Sequence, residues 1–313
     1  MSVTVKYKGS AIAELTENGT KTLKTSGKYC EADIVVENTK DSGAQVTDGI
    51  VVKARDADGY ATEVDFYSTA GVVYPSQFVG ADKETNGTPT SMRYLKKVNL
   101  KNRITTLKSG AFEKTFALEQ IVGVDANPFE YVTSIDNKSW RGIFQNCACP
   151  LNLSLPNFSG DIPNKAHSFC NAATGLLSVS MPNATGELHQ YAFSNCTALK
   201  TVYLPKITSL NADANASRGV FRGCTALESV QIGSVGYSVT IANNNFYGCT
   251  QTGLTITVYT TGAYADTALT NIRNGATNAT IRIKASEDTE YNGRVYAAGT
   301  NIITSSVAGG VTI

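Results

Sequence analysis

Apolar positions along the chain recur in the same order at intervals of about 25 residues. The gaps between successive aromatic anchors of this pattern are 32, 25, 24, 28 and 25 residues, and the anchors are Phe112, Phe144, Phe169, Phe193, Phe221 and Phe246. A period of this size is typical of stacked supersecondary units, each of which buries its apolar face only against its neighbours. The spacing therefore predicts a repeat architecture with these phenylalanines inside.

Most anchors are followed three positions later by a small residue: Thr115, Cys147, Cys196, Cys224 and Cys249. The copy at Phe169 departs from this rule, with Ala172 at that position and Cys170 directly after the anchor. A leucine comes next in the clearest copies, at Leu199 and Leu227, and a short alternating run such as Val202-Tyr203-Leu204-Pro205 follows. Such alternation predicts a strand that ends at the proline. We expect the Phe, Cys and Leu positions to form internal ladders.

The pattern A-F-x-x-C-x-x-L-x-x-V-x-L-P resembles the BspA-like (Treponema pallidum type) leucine-rich repeats of bacterial and phage proteins. The resemblance covers Ile104 to Tyr259 and is most specific in the copies at Phe193 and Phe221. It implies a curved, strand-rich solenoid that serves adhesion or recognition and has no enzymatic activity.

The first 40 residues predict a small β module, because alternating runs are separated by turn residues such as Asn18-Gly19 and Ser26-Gly27. So short a unit is rarely stable alone, and we expect it to dock against other parts of the protein or other subunits. The stretch V-T-V-K-Y-K-G-S-A-I-A-E-L resembles N-terminal modules of tail or other structural proteins from phages and prophages of Gram-positive bacteria. This resemblance implies attachment to other virion proteins.

The predicted fold class is mainly β: a leucine-rich-repeat solenoid with a small N-terminal β module and a C-terminal β cap. The predicted domains are the attachment module at 1–40, a β-hairpin with a degenerate capping repeat at 46–103, the repeats at 104–262, and a C-terminal cap or small β domain at 263–313.

Composition excludes several classes of function. Lys plus Arg is 27 and Asp plus Glu is 26, and this net charge of +1 gives no electrostatic reason to expect binding to nucleic acid or to an anionic membrane. No apolar stretch approaches the length of a membrane span, so we expect no membrane insertion. Seven cysteines, an odd number that lies mostly at the repeat's small position, favour buried thiols over disulfides. Cys147 and Cys149 lack further ligands at zinc spacing, so we expect neither metal nor cofactor.

No catalytic motif is present, although two carboxylates could still converge as in glycoside hydrolases.

Contact residues are predicted on the outward positions of the strands and on the turns. If Leu199, Val202 and Leu204 point inward, then Thr201 and Tyr203 point outward. The outward positions are mostly small and neutral, which is typical either of a weak polar contact surface or of a solvated scaffold. The candidate contact residues are Tyr203, Trp140, Arg141, Tyr191 and Arg222.

The leading functional hypothesis is a non-enzymatic phage virion protein of the tail or particle surface. It is made in the host cytoplasm, forms a homo-oligomer, and presents the solenoid for recognition of a host glycan or protein, or for particle decoration. The first alternative is a bacterial cell-surface adhesin of BspA type. The second is a cell-wall glycan hydrolase built on a repeat scaffold.

Overall fold

The computed structural model describes residues 2–7, 10–16, 20–21, 34–38, 45–46, 49–57, 60–73, 77–78, 92–136, 141–162, 169–211, 218–306 and 310–312, with only the backbone for the strands before residue 49. Contacts divide the chain into two compact units, Met1–Pro150 and Leu151–Ile313. This division falls inside the segment 104–262, which the sequence predicts as one repeat domain.

The described part of the first unit is built from strands and a short 3-10 helix at Met92–Tyr94. Its strands are β1 (Ser2–Tyr7), β2 (Ser10–Thr16), β3 (Thr20–Lys21), β4 (Ile34–Asn38), β5 (Gln45–Val46), β6 (Gly49–Arg55), β7 (Ala61–Tyr67), β8 (Val72–Val73), β9 (Lys97–Leu100), β10 (Thr106–Lys108), β11 (Gln120–Val122) and β12 (Ser134–Asp136).

Two parallel ladders run through the first unit. β7, β9 and β11 pair in parallel within a seven-stranded sheet of order β11-β9-β7-β6-β4-β1-β2, and β8, β10 and β12 form a second parallel sheet. β6 and β7 form the antiparallel hairpin. The N-terminal strands β1, β2 and β4 join the same seven-stranded sheet, where Val36 pairs with Val51. The predicted module at 1–40 therefore shares a sheet with the hairpin that follows it.

The second unit contains the strands β13 (Leu151–Ser154), β14 (Leu176–Ser180), β15 (Gly186–His189), β16 (Thr201–Leu204), β17 (Ile207–Asn211), β18 (Ser229–Ile232), β19 (Thr240–Ile241), β20 (Thr255–Thr260), β21 (Thr280–Ala285), β22 (Thr289–Tyr291), β23 (Arg294–Tyr296), β24 (Asn301–Ser306) and β25 (Gly310–Thr312), together with helix α1 (Gly262–Arg273). Its main sheet has eight strands in the order β13-β14-β16-β18-β20-β21-β24-β25. The first six are parallel, and β24 and β25 complete the sheet antiparallel. β15, β17 and β19 form a separate parallel sheet.

Side-chain alternation places these strands on a common core. In β16, Val202 and Leu204 are buried while Thr201 and Tyr203 are exposed, because successive side chains of a strand point to opposite faces. The strand ends before Pro205, which has no backbone N–H for continued pairing. The prediction of a mainly β, leucine-rich-repeat solenoid is confirmed.

The core of each unit contains a stack of aromatic rings. In the second unit, Phe221 lies 5.5 Å from Phe193 at 4° and 5.4 Å from Phe246 at 18°. In the first unit, Phe112 lies 5.2 Å from Phe144 at 4° and 5.0 Å from Phe78 at 19°. Phe78 is thus the anchor of an earlier coil, which the sequence pattern did not reveal.

A left-handed residue follows each anchor by two positions. These residues are Lys114, Asn146, Ala172, Asn195, Gly223 and Gly248, with φ between 54° and 79°. Four of their N–H groups donate to the next coil within the unit: Lys114 to Gln145 O at 2.8 Å, Ala172 to Ser194 O at 2.7 Å, Asn195 to Arg222 O at 2.6 Å and Gly223 to Tyr247 O at 2.9 Å. Asn and Gly adopt this conformation with the least strain, which explains their enrichment here.

In the third copy of the repeat, the structure places the anchor position one residue later than the sequence pattern predicts. Ala172 is the left-handed residue of this copy, so the anchor position two residues earlier belongs to Cys170. Cys170 N–H donates to Ala192 O, as Phe193 N–H donates to Val220 O one coil later. Phe169 is buried, but it meets Phe193 edge-on at 79° and is not the equivalent of the stacked rings. The sequence pattern misplaced this anchor because an aromatic residue precedes the true position.

The small position of the repeat holds buried thiols that donate hydrogen bonds. Cys196 Sγ donates to Cys170 O at 2.9 Å, Cys224 Sγ to Phe193 O at 3.1 Å, and Cys249 Sγ to Phe221 O at 3.1 Å. Burial raises the pKa of Cys249 to about 12 and the pKa of Cys196 and Cys224 well above the ordinary thiol value, so all three stay protonated. The six cysteines in the described ranges are free and buried, which confirms the prediction of thiols for them, and Cys30 lies outside those ranges.

Helix α1 packs against the C-terminal strands of the second unit. Arg273, at the end of α1, donates to Thr277 O at 2.8 Å, Ala279 O at 2.9 Å and Ser305 Oγ at 2.8 Å. These bonds hold the loop between α1 and β21 against the end of the helix and fix α1 to β24.

Candidate functional site

The outward side of the eight-stranded sheet in the second unit carries the most regular polar surface among the described residues. Two rows of side chains in register define this outer face. The first row is Asn152, Ser178, Thr201, Ser229, Thr255 and Thr280, and the second is Ser154, Ser180, Tyr203, Gln231, Thr257, Arg282 and Thr304. The buried residues between the rows, such as Val202 and Val230, hold each strand in this orientation.

Hydrogen-bonding groups dominate the outer face. Strands lie about 4.8 Å apart, so neighbouring side chains within a row come into contact. Ser178 Oγ donates to Asn152 Oδ1 at 2.7 Å. Within the two rows there is no carboxylate, and Arg282 is the charged member. The face can therefore donate and accept hydrogen bonds over several strands without repelling an anion.

Cations and aromatic rings gather where this face meets the C-terminal cap. Tyr259 and Lys284 are partners across β20 and β21, and the Lys284 ammonium lies 5.4 Å from the centre of the Tyr259 ring. Arg282 is exposed, and among the described residues it has no acidic partner. A cation placed over a ring in this way is stabilised by the negative face of the π system.

Within the second unit, the sequence-predicted contact residues lie on different elements. Tyr203 is 43% exposed in the second row of the outer face. Tyr191 and Arg222 are half-buried near the turns that follow the anchors, where Arg222 Nη1 lies 3.5 Å from Asn195 Oδ1. Arg141, in the first unit, places Nε 3.4 Å from the Glu113 carboxylate. Trp140 lies outside the described residues.

The predicted core residues lie inside. All of Phe112, Phe144, Phe169, Phe193, Phe221, Phe246, Cys147, Cys196, Cys224, Cys249, Leu199 and Leu227 are buried.

Sequence reasoning missed the cationic residues of the last strands. Arg282 and Lys284 lie in T-I-R-I-K-A, whose alternation matches the preceding strand T-I-T-V-Y-T over Thr255 to Thr260. These cations could have been predicted from the shared alternation, because two paired parallel strands with the same period place their corresponding side chains on the same face of the sheet.

The titratable groups of the described residues offer little chemistry. No set of three His, Cys, Asp or Glu side chains in these ranges could hold a metal ion. His189 Nε2 lies 3.7 Å from the Glu187 carboxylate, and burial lowers the pKa of this histidine. Within the described ranges, no helix has the length and apolar character needed to span a bilayer.

Comparison with known proteins identifies one family. The family model described as "BspA type Leucine rich repeat region" matches residues 90–140, 133–273 and 215–290, with six copies of the repeat. No curated protein matches the chain, and no solved structure matches it.

Proposed function

Because the chain belongs to the BspA-type leucine-rich repeat family, we propose that it is a non-enzymatic recognition protein whose outer face binds a ligand on a cell surface. The observation that carries this proposal is the outer face itself, with its two rows of hydroxyl and amide groups and no carboxylate. A scaffold that only had to stay soluble would more often carry mixed charges. Tyr203 supplies an exposed ring near the middle of the face, as recognition surfaces commonly do.

We further propose that the N-terminal strands attach the protein to a larger assembly, with a phage particle as the leading candidate. Among the described strands, β2 is the last of the seven-stranded sheet and pairs on one side only, so its other edge is the place where we expect a strand of another chain to pair. The resemblance of residues 1–40 to phage structural modules supports a particle, and a bacterial surface is the alternative. Co-sedimentation of the full chain with assembled particles, and loss of co-sedimentation on deletion of residues 1–40, would support attachment. A truncated chain that still co-sediments would refute it.

Binding to whole cells and to a glycan array tests the recognition role. We expect the Tyr203→Ala variant to bind about fivefold or more weakly than the unaltered protein, because it loses the central exposed ring of the outer face. Tyr247→Ala is the matched control, since Tyr247 is 47% exposed but follows the anchor Phe246 on a turn. Equal binding by both variants, or no binding by the unaltered protein to any cell or glycan, would contradict the proposed function.

A further inference from the structure

A cavity of about 440 Å³ lies between the hairpin β22–β23 and strand β24. Val295, Tyr296 and Ala297 line it on the hairpin side, and Ile302 and Thr304 line it on the strand side. Thr304 pairs with Arg282, so the cavity continues the outer face at its C-terminal end. A volume of this size is within the range of small-molecule sites.

The lining combines apolar walls with groups that donate hydrogen bonds. Arg294, Thr300 and Asn301 contribute a guanidinium, a hydroxyl and an amide. The Tyr296 hydroxyl is buried and has no hydrogen-bond partner among the described residues, although Tyr296 itself is 8% exposed. A buried hydroxyl without a partner is costly. Because this hydroxyl is closed to solvent, the donors that a ligand in the cavity can reach are those of Arg294, Thr300 and Asn301.

One cation, Arg294, lines this cavity, and two more lie on β21, the strand that pairs with β24. Arg294 contacts the Tyr296 ring, with its guanidinium carbon 5.4 Å from the ring centre. Arg282 and Lys284 are the cross-strand partners of Thr304 and Asn301, which places both cations on β21, one strand away from the cavity. Directly paired residues lie about 5 Å apart at Cβ, so a ligand bound beside Thr304 and Asn301 would be within reach of Arg282 and Lys284. Asp288, which accepts a hydrogen bond from Ala298 N–H, and Glu290, the cross-strand partner of Val295, lie on or beside the same hairpin, so the cation that the lining itself offers is Arg294.

We propose that the cavity binds a carboxylated sugar, such as a uronic or sialic acid unit of a surface glycan. The guanidinium of Arg294 has the planar, two-pronged geometry that matches a carboxylate. The hydroxyl and amide groups bind the sugar hydroxyls, and Val295, which is 75% exposed, packs against its C–H face. A single cation in the lining matches the one charge of a carboxylate better than the two charges of a phosphate ester. This assignment rests on the proposed recognition function and names its ligand class.

Ligand-observed NMR titration of the full chain with N-acetylneuraminic acid and glucuronic acid tests the assignment. We expect saturable binding of at least one acid by the unaltered protein and about tenfold weaker binding by Arg294→Ala, the loss of one charge-assisted hydrogen bond. Ala297→Trp fills the cavity but keeps all three cations, so it should abolish binding if the cavity is the site. Both positions are exposed, and circular dichroism checks that each variant remains folded.

Lys200→Ala is the control for loss of charge. It removes one cation from the same sheet at the start of β16, with three strands between it and β24, and should bind like the unaltered protein. Equal affinity in Arg294→Ala or Ala297→Trp, or no saturable binding of either acid, would overturn the proposal. Glucose 6-phosphate binding as tightly as the acids would overturn the carboxylate assignment. Absence of acid binding with intact cell binding would reject the cavity alone, whereas Tyr203→Ala tests the recognition function separately.

Discussion

Truncation of the central ring of the second unit is expected to be strongly destabilising. Phe221 is fully buried and stacks on Phe193 and Phe246 at 5.5 and 5.4 Å. Replacing a buried Phe by Ala costs about 3–5 kcal/mol in free energy of unfolding, because apolar contacts are lost and a cavity remains. Each of the two ring pairs accounts for about 0.5–1.5 kcal/mol of this loss. Phe221→Leu, which keeps most of the volume, should cost about 2 kcal/mol.

Urea denaturation followed by circular dichroism measures the loss, and hydrogen exchange locates it. The amides of Asn195 and Gly223 donate to successive coils beside the stack, so peptides that contain them should exchange faster in Phe221→Ala. Phe116→Ala is the control, because Phe116 is 48% exposed and its loss should change the free energy of unfolding by less than about 0.5 kcal/mol. If Phe221→Ala cost no more than Phe116→Ala, the stack would not be a stabilising element.

Three further predictions concern the thiols and the cap. The pKa of Cys249 is raised from 9.0 to about 12 in the folded protein, so its contribution to stability is present below about pH 9 and is lost as pH rises towards about 12. Cys249→Ala should reduce the slope of the free energy of unfolding against pH in this range by up to about 1.4 kcal/mol per pH unit, measured by urea titration at several pH values. Iodoacetamide labelling with mass spectrometry should leave Cys196 and Cys224 unmodified in the native protein and label them after denaturation; native labelling would show that they are accessible. Arg273→Ala should cost about 1–3 kcal/mol and speed exchange of the β24 amides, whereas unchanged exchange would mean that α1 is held by packing alone.

The repeat was predictable because each coil carries the same types of residue at the same positions of its sequence. The aromatic, small and leucine positions specified the core at Phe193, Cys196 and Leu199 without reference to other elements. The prediction failed where the chemistry is ambiguous. Phe169 and Cys170 are adjacent, and only the backbone bonds to the next coil show that the cysteine occupies the anchor position.

The candidate site was less predictable because it depends on pairing between distant strands. Strand alternation was enough to place Tyr203 on the outward face. It could not show that β24 returns antiparallel beside β21, which brings Thr304 next to Arg282. The cavity also depends on the hairpin β22–β23, and no pattern in the sequence of this hairpin indicates that it lies beside β24.

The left-handed residue two positions after each anchor limits how such a chain can change in length. A tandem duplication of the 28 residues from Phe193 to the residue before Phe221 would add one complete coil, or layer, with its own ring, thiol, leucine and left-handed residue. Gain or loss of part of a layer would instead move a bulky residue into a backbone conformation that it adopts only with strain. Related genes are therefore expected to differ by whole layers, so that the outer face grows or shrinks by one strand at a time.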